Sequence, residues 1–446
     1  MLFRSSHFSY DNFRLSHPGI GTGLLAARYL PDGAHVDWAA QQDVVTLGIR
    51  YGAYPVATQD RDNPSYVIDV TGSEAKRCAQ WLRQPLPNGS VLYAKAGAPL
   101  LDRGPATSLP ARRAVVAFLL SLFFDVLLGA AILAALGMDA RRGGAAWFAG
   151  AALLLGMTLW TGLVWAGMLL GLRLGLVWTL AAWGGGFAAA IAVLRRDGVT
   201  LGLREGLRAL RPEGVAGWAI AAAGGTMLVL VCLPTVLSPV VSWDAMSHWM
   251  FKAKALLFHR ALDFSADTHH NEYPLLWPLH TAMQYVLAGG ACDQIAKWMV
   301  VLLYLALLSQ IHGALRFLGA SANVAWAAVG LFPVFFFDDS LQWAYAEVAL
   351  IALLAAMLAA LAAAGDDPER AGRWHALAVL LGCGVAATKF EGGPACMIVA
   401  AAAVLSHPRF PRSRQPWALG ALLAAPVLIT LGWYLYQRSH GYLDAG

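Results

Sequence analysis

From residue 114 onward the chain alternates long apolar runs with short polar breaks. A helix needs about 20 apolar residues to cross the hydrocarbon core of a bilayer. Seven windows meet or approach that length: Ala114–Leu136, Trp147–Leu170, Leu174–Leu194, Gly217–Leu237, Ala296–Leu318, Val348–Ala364 and Trp417–Tyr436. Shorter or interrupted runs at Val324–Phe337, His375–Ala387 and Gly392–Leu405 raise the expectation to about ten membrane segments. Small residues scattered through these runs permit close helix packing.

The first 110 residues follow a different pattern, that of a small soluble α/β unit. "LLAARYLPDG" predicts a helix ending in a turn, "AHVDWAA" and "SYVIDV" predict short strands, and "PLPNGSVLYAK" predicts a turn into a last strand. The opening "MLFRSSHFSYDNFRLSHPGI" lacks the apolar core of a signal peptide. The expected organisation is therefore a soluble unit over 1–110, membrane helices over 111–214 and a second membrane module over 215–446. Its fold class is an all-α polytopic membrane bundle carrying a small N-terminal α/β unit.

Composition excludes a single soluble core. The chain has 446 residues, 58% of them hydrophobic and 13% charged, with a mean hydropathy of +0.55. Its formal charge of +5 comes from arginines lying between apolar segments, not from a basic face, which argues against nucleic acid. Five scattered cysteines have no zinc or redox spacing. Short loops rich in Lys and Arg stay cytoplasmic. "RRDGVTLGLREGLRALRP" and "HPRFPRSRQP" are the richest, and a walk between them, changing sides at each crossing, agrees at both ends. That walk places residues 242–280, the region after Ala364 and "TKFEGG" outside, inside and outside respectively. Counting backwards puts 1–110 outside, against the vote of Arg112 and Arg113.

Ionisable groups crowd at the expected outer ends of these helices. A charge near hydrocarbon is costly, so such a cluster is a functional-site candidate. In "SWDAMSHWMFKAKALL", a continuing helix would put Asp244, His248 and Lys252 on one face, with Trp243 and Trp249 at headgroup level. An ordinary interfacial helix capped by Asp244 explains the same stretch. In "HHNEYPLLWPLH", His269, His270 and Glu272 have the donor types for a divalent metal of unspecified identity, although a solvated loop also carries such residues. In "DDSLQWAYAEVAL", Glu347 opens a helix, where the dipole favours an acid in any case. Asp125 is the one acid well inside an N-terminal helix and is expected to pair within the bundle. His312 and Arg316 are expected at an interface, and the tryptophans in belts and packing.

Taken in order, these motifs resemble the GT-C superfamily of membrane glycosyltransferases. The likeness is to family 39, the protein O-mannosyltransferase and aminoarabinose transferase group, over about residues 215–446. The resemblance implies that Asp244 is the catalytic base of the first outer loop. It matches the family's E-K-P-P-L element to Glu272, Tyr273, Pro274 and Leu275, with Tyr273 where relatives have Lys; Lys252 or Lys254 would then supply the missing cation. The second-loop acid matches Glu347 in "YAE", with Tyr345 beside it, where relatives have Asp. The T-K-G-P or T-K-N-E-G break matches Thr388, Lys389, Phe390, Glu391 and Gly392, which directs Lys389 to the lipid phosphate and brings Glu391 and His248 to the substrate.

The implied activity is inverting transfer of a sugar from a polyprenyl-phosphate donor to a lipid, glycan or protein acceptor on the extracytoplasmic face of a bacterial inner membrane. The resemblance also implies that relatives continue beyond "QRSHGYLDAG". Two other readings stand beside it. A transporter or flippase would use similar charges, but nearer the bilayer midplane and often on inverted repeats. An inactive GT-C-like scaffold would fit the Tyr273 and Glu347 departures.

Overall fold

The computed structural model describes residues 22–23, 26–31, 34–39, 57–59, 64–71, 73–86, 90–101, 111–197, 202–238, 240, 242, 244–264, 270–335, 341, 344–406 and 416–442. Trp243, His269, Asp338, Asp339 and the "HPRFPRSRQP" loop lie outside these residues.

The N-terminal part is a five-stranded mixed sheet: β1 (Ala34–Ala39), β2 (Ala57–Gln59), β3 (Tyr66–Asp69), β4 (Leu82–Pro85) and β5 (Val91–Ala94), in the order β2-β1-β3-β5-β4. The β1 strand runs parallel to β2 and β3, while β5 runs antiparallel to β3 and β4. Val36, Tyr66, Ile68 and Leu92 pack one core, with Ala26 and Leu30 from the preceding segment. The strands expected from "AHVDWAA", "SYVIDV" and "VLYAK" are β1, β3 and β5.

Thirteen α-helices make up most of the rest of the described chain. They are α1 (Ala111–Ala135), α2 (Ala140–Leu169), α3 (Leu176–Asp197), α4 (Leu203–Ala209), α5 (Gly214–Leu237), α6 (Met250–His259) and α7 (Leu276–Ala288). They continue as α8 (Asp293–Phe317), α9 (Ala322–Phe335), α10 (Ala346–Asp366), α11 (Ala371–Thr388), α12 (Gly392–Ser406) and α13 (Pro416–Ser439). Seven of these, α1, α2, α3, α5, α8, α10 and α13, contain stretches long and apolar enough to cross a membrane. Each of the seven long windows in the sequence falls on one of them. The three shorter candidates lie on α9, α11 and α12.

Packing sorts the helix termini into two ends. At one end Trp147 of α2 meets Phe317 of α8 edge-on at 5.3 Å, and the Trp326 indole donates to the carbonyl of Leu210 at 2.8 Å. At the other, Gln294 donates to the carbonyl of Val236, Leu174 N–H bonds to Arg260 O at 2.9 Å, and Trp165 packs on Trp433 at 5.2 Å. Small residues let α1 and α2 touch backbone to backbone: a Cβ on Gly156 would lie 1.8 Å from the carbonyl oxygen of Asp125.

Between the spans sits α7, which the apolar run after Pro274 does not announce as a helix. Its 13 residues extend about 20 Å at the standard helical rise, too short to cross. It runs antiparallel to α1. Gln284 donates to Ser121 Oγ at 3.1 Å, and His280 Nε2 lies 3.0 Å from Asp125 Oδ2, both side chains fully buried. The partner expected for Asp125 is thus a histidine on a short inserted helix. His312 departs from its interfacial expectation: only 3% exposed, it packs edge-on against Trp326 at 5.4 Å.

Candidate functional site

The three charged stretches converge at one end of the bundle, around Tyr273. The 242–259 segment leaves α5 with a π-helical turn over Ala245–Trp249 before α6 begins. The register is therefore not that of one continuous α-helix. Asp244 and His248 still approach, with Oδ1 and Nε2 at 3.8 Å; the carboxylate is half exposed and the imidazole buried. Ser247 Oγ sits 3.1 Å from the other nitrogen of His248. Tyr345 ties this turn to α10: Ser242 Oγ donates to its hydroxyl at 2.8 Å, and the Asp244 backbone also bonds to it.

The second stretch supplies a stack of rings. His270 lies parallel to Tyr273 at 5.2 Å, Tyr273 stacks on Trp249 at 5.5 Å, and His248 meets His270 edge-on at 4.5 Å. The Trp433 indole of α13 donates to Tyr273 O at 3.0 Å. Trp249 is 2% exposed, so it belongs to the buried wall of the site and not to a headgroup belt. Neither Trp249 nor Trp433 is distinguishable in sequence from the many tryptophans near helix ends.

Two lysines approach the ring of Tyr273. Lys389 Nζ lies 5.2 Å from its ring centroid and 5.9 Å from that of Trp249, and Lys252 Nζ lies 5.9 Å from Tyr273. Lys389 comes from the break between α11 and α12 and donates to Glu347 Oε1 at 2.7 Å. Burial pulls its pKa down, but the hydrogen bond and charge of Glu347, with Glu391, outweigh that, and the net shift is upward. Glu391 acts electrostatically on both Lys389 and Tyr273. Lys254, the other candidate for the missing cation, turns instead towards buried Asp293 at 3.8 Å.

Lys252 is 1% exposed and donates to the carbonyl of His270. Desolvation pushes its pKa down to about 7, with Glu272 opposing in part. The unfolded chain holds this proton up to its ordinary value of 10.5, the folded chain only to about 7. Between those values the unfolded state binds more protons, so this group makes stability rise with pH, and its penalty is complete below pH 7. Melting temperatures should accordingly climb between pH 7 and pH 9 more steeply for wild type than for Lys252→Met. Parallel curves for the two proteins would refute the charge assignment.

Backbone strain marks the same place. His270 and Ala344 adopt left-handed φ values of 53° and 60°, each costing about 1–2 kcal/mol for a residue with a Cβ. The Trp277 indole holds Ala344 through its carbonyl at 3.2 Å. Trp277 thereby fixes Ala344 beside Tyr345.

For a metal, His270 Nδ1 and Glu272 Oε1 stand 2.7 Å apart and partly exposed. Among the described residues no three His, Cys, Asp or Glu side chains gather as a metal cluster, and His269 lies outside them. A cation held by His270 and Glu272 would take its remaining ligands from water or substrate. The site's four carboxylates, Asp244, Glu272, Glu347 and Glu391, outnumber its two lysines, which favours an added cation when an anionic substrate binds.

No protein-family model, curated protein or solved structure matches this chain. The likeness to GT-C enzymes therefore rests on the short motifs, and the chemistry on the geometry above.

Proposed function

We propose that this protein is a membrane glycosyltransferase of GT-C type, transferring a sugar from a polyprenyl-phosphate donor to a lipid, glycan or protein acceptor. The observation that carries the reading is the approach of two lysine ammoniums, Lys389 and Lys252, to the Tyr273 ring, in a site whose π-helical turn also carries the half-exposed Asp244 carboxylate. Departure of a lipid phosphate needs positive charge, and attack by an acceptor hydroxyl needs a base. In this scheme the acceptor oxygen bonds to the anomeric carbon as the bond from that carbon to the phosphate oxygen breaks. Asp244 receives the hydroxyl proton, and Lys389 and Lys252 take up the charge of the departing phosphate. Attack opposite the leaving group inverts the anomeric centre. Glu347 orients Lys389, Tyr345 orients the Asp244 turn, and Glu391 and His248 line the substrate site. A divalent metal on His270 and Glu272 would add charge neutralisation for the phosphate.

The positive-inside count supports a site on the extracytoplasmic face, and a polyprenyl-phosphate donor would suit a bacterial inner membrane. Transport is the weaker reading, because these charges sit at a bundle end and not at its middle. The deciding experiment compares membranes from cells carrying wild type, Asp244→Asn and a deletion, by mass spectrometry of polyprenyl-phosphate sugars and surface glycans. Both altered strains should accumulate one lipid-linked sugar and lose one surface modification. An Asp244→Asn strain indistinguishable from wild type, beside a deletion that differs, would instead indicate a transporter or a scaffold.

A further inference from the structure

At the opposite end of the bundle from Tyr273, a cavity of about 820 Å³ opens between α4, the start of α5, the end of α8 and the start of α9. Arg208, Arg211 and Arg316 line it, with Glu213 and Trp218. Its walls are fixed. Asn323 receives the Glu213 N–H and donates to the Glu213 carbonyl, each at 2.9 Å, and Trp326 holds Leu210 O. On the other side Gly206 packs so closely on α2 that a Cβ there would lie 2.6 Å from Ala140 O. Arg316 donates one N–H to Ala320 O at 2.6 Å, and the rest of its fork meets no partner among the described residues. The guanidiniums of Arg208 and Arg211 meet no hydrogen-bond or ion-pair partner among the described residues. Three guanidiniums therefore face one carboxylate around a preformed space.

The cavity mouth continues onto an apolar surface. Val215 and Trp218 of α5 are 89% and 56% exposed, and Val229, Leu230 and Leu233 further along the same helix are also exposed. Since α5 is one of the membrane-length helices, its first turn lies level with headgroups, where Trp is favoured. Guanidinium forks match phosphate oxygens bidentately, and basic pockets between membrane helices suit anionic headgroups. We propose that this cavity binds the phosphodiester of an anionic membrane phospholipid, with the acyl chains lying along α5. This site is independent of the transferase reading.

The test uses the full chain in detergent micelles, with native mass spectrometry and thermal unfolding as readouts. The probes are dioleoyl-phosphatidylglycerol, dioleoyl-phosphatidylcholine and inorganic phosphate. Wild type should retain phosphatidylglycerol over phosphatidylcholine and gain thermal stability from it. An Arg208→Gln, Arg211→Gln, Arg316→Gln triple variant should lose that preference on the order of 100-fold, from three basic contacts. Should the triple variant fail to fold, Arg208→Gln and Arg211→Gln alone should each lose about fivefold. An Arg112→Gln, Arg113→Gln variant, altered at the other end of the bundle, should keep the preference. Unchanged phosphatidylglycerol retention in the triple variant, or in both single variants, overturns the site. Equal protection by inorganic phosphate overturns the lipid as its occupant.

Discussion

Lys389→Ala should lower sugar transfer by about 10²–10³-fold, the usual effect of removing one preorganised donor from a developing oxyanion. The expectation follows from the way Lys389 is held. Its ammonium bonds to Glu347 Oε1 at 2.7 Å and faces the rings of Tyr273 and Trp249, so in the proposed reaction it would meet the phosphate already ordered. Glu347→Gln keeps a hydrogen-bond acceptor but removes the charge that raises the Lys389 pKa, and should cost less than Lys389→Ala. Because each side chain acts through the other, the double variant should be little worse than Lys389→Ala alone, a non-additivity that a double-mutant cycle measures. Turnover of a polyprenyl-phosphate sugar by purified protein in nanodiscs provides the reading. Activity of Lys389→Ala within twofold of wild type would remove Lys389 from the phosphate site; strictly additive losses would show that Glu347 acts separately.

How much of this arrangement is legible in sequence depends on what each residue's signal consists of. The long spans are legible because length and apolar composition suffice, as at Ala114–Leu136 and Val348–Ala364. The sheet is legible at β3, where four buried residues follow a turn, but not at β4, whose "LRQP" is largely exposed and carries no alternation. The charged stretches stand out because each sits just beyond an apolar run. Their convergence, and the aromatic wall joining them, does not stand out: Trp249 and Trp433 acquire their roles only through Tyr273, which lies 24 and 160 positions away in the chain. The buried state of Lys252 is hidden for a related reason. Its neighbours "MFKAKALL" suit an interfacial helix equally well, and only packing decides which side of that helix loses its water. The same holds for α7, whose His280 and Gln284 look too polar for a buried helix until Asp125 and Ser121 are seen opposite them.

Asp125→Ala should therefore be clearly destabilising, by about 1–3 kcal/mol, because it leaves His280 buried without its partner. Both side chains are fully buried at 3.0 Å, and the next contact along the pair of helices is the Gln284–Ser121 bond. Together they fix α7 against α1 in one register, and α7 begins directly after the loop bearing Glu272 and Tyr273. Asp125→Asn, which keeps a hydrogen bond, should fall between wild type and alanine. Replacing both partners by leucine should recover much of the loss, since an apolar pair leaves no uncompensated polar group in the bilayer interior. The measurement is thermal unfolding of the four proteins in one detergent. Should Asp125→Ala melt with wild type, the pair contributes no net stability; should the double leucine variant melt no higher than Asp125→Ala, the loss comes from packing volume and not from an orphaned polar partner. Recovery of stability in the leucine pair without recovery of transfer would separate two roles of α7, its docking by apolar contact and the register set by its hydrogen bonds to α1.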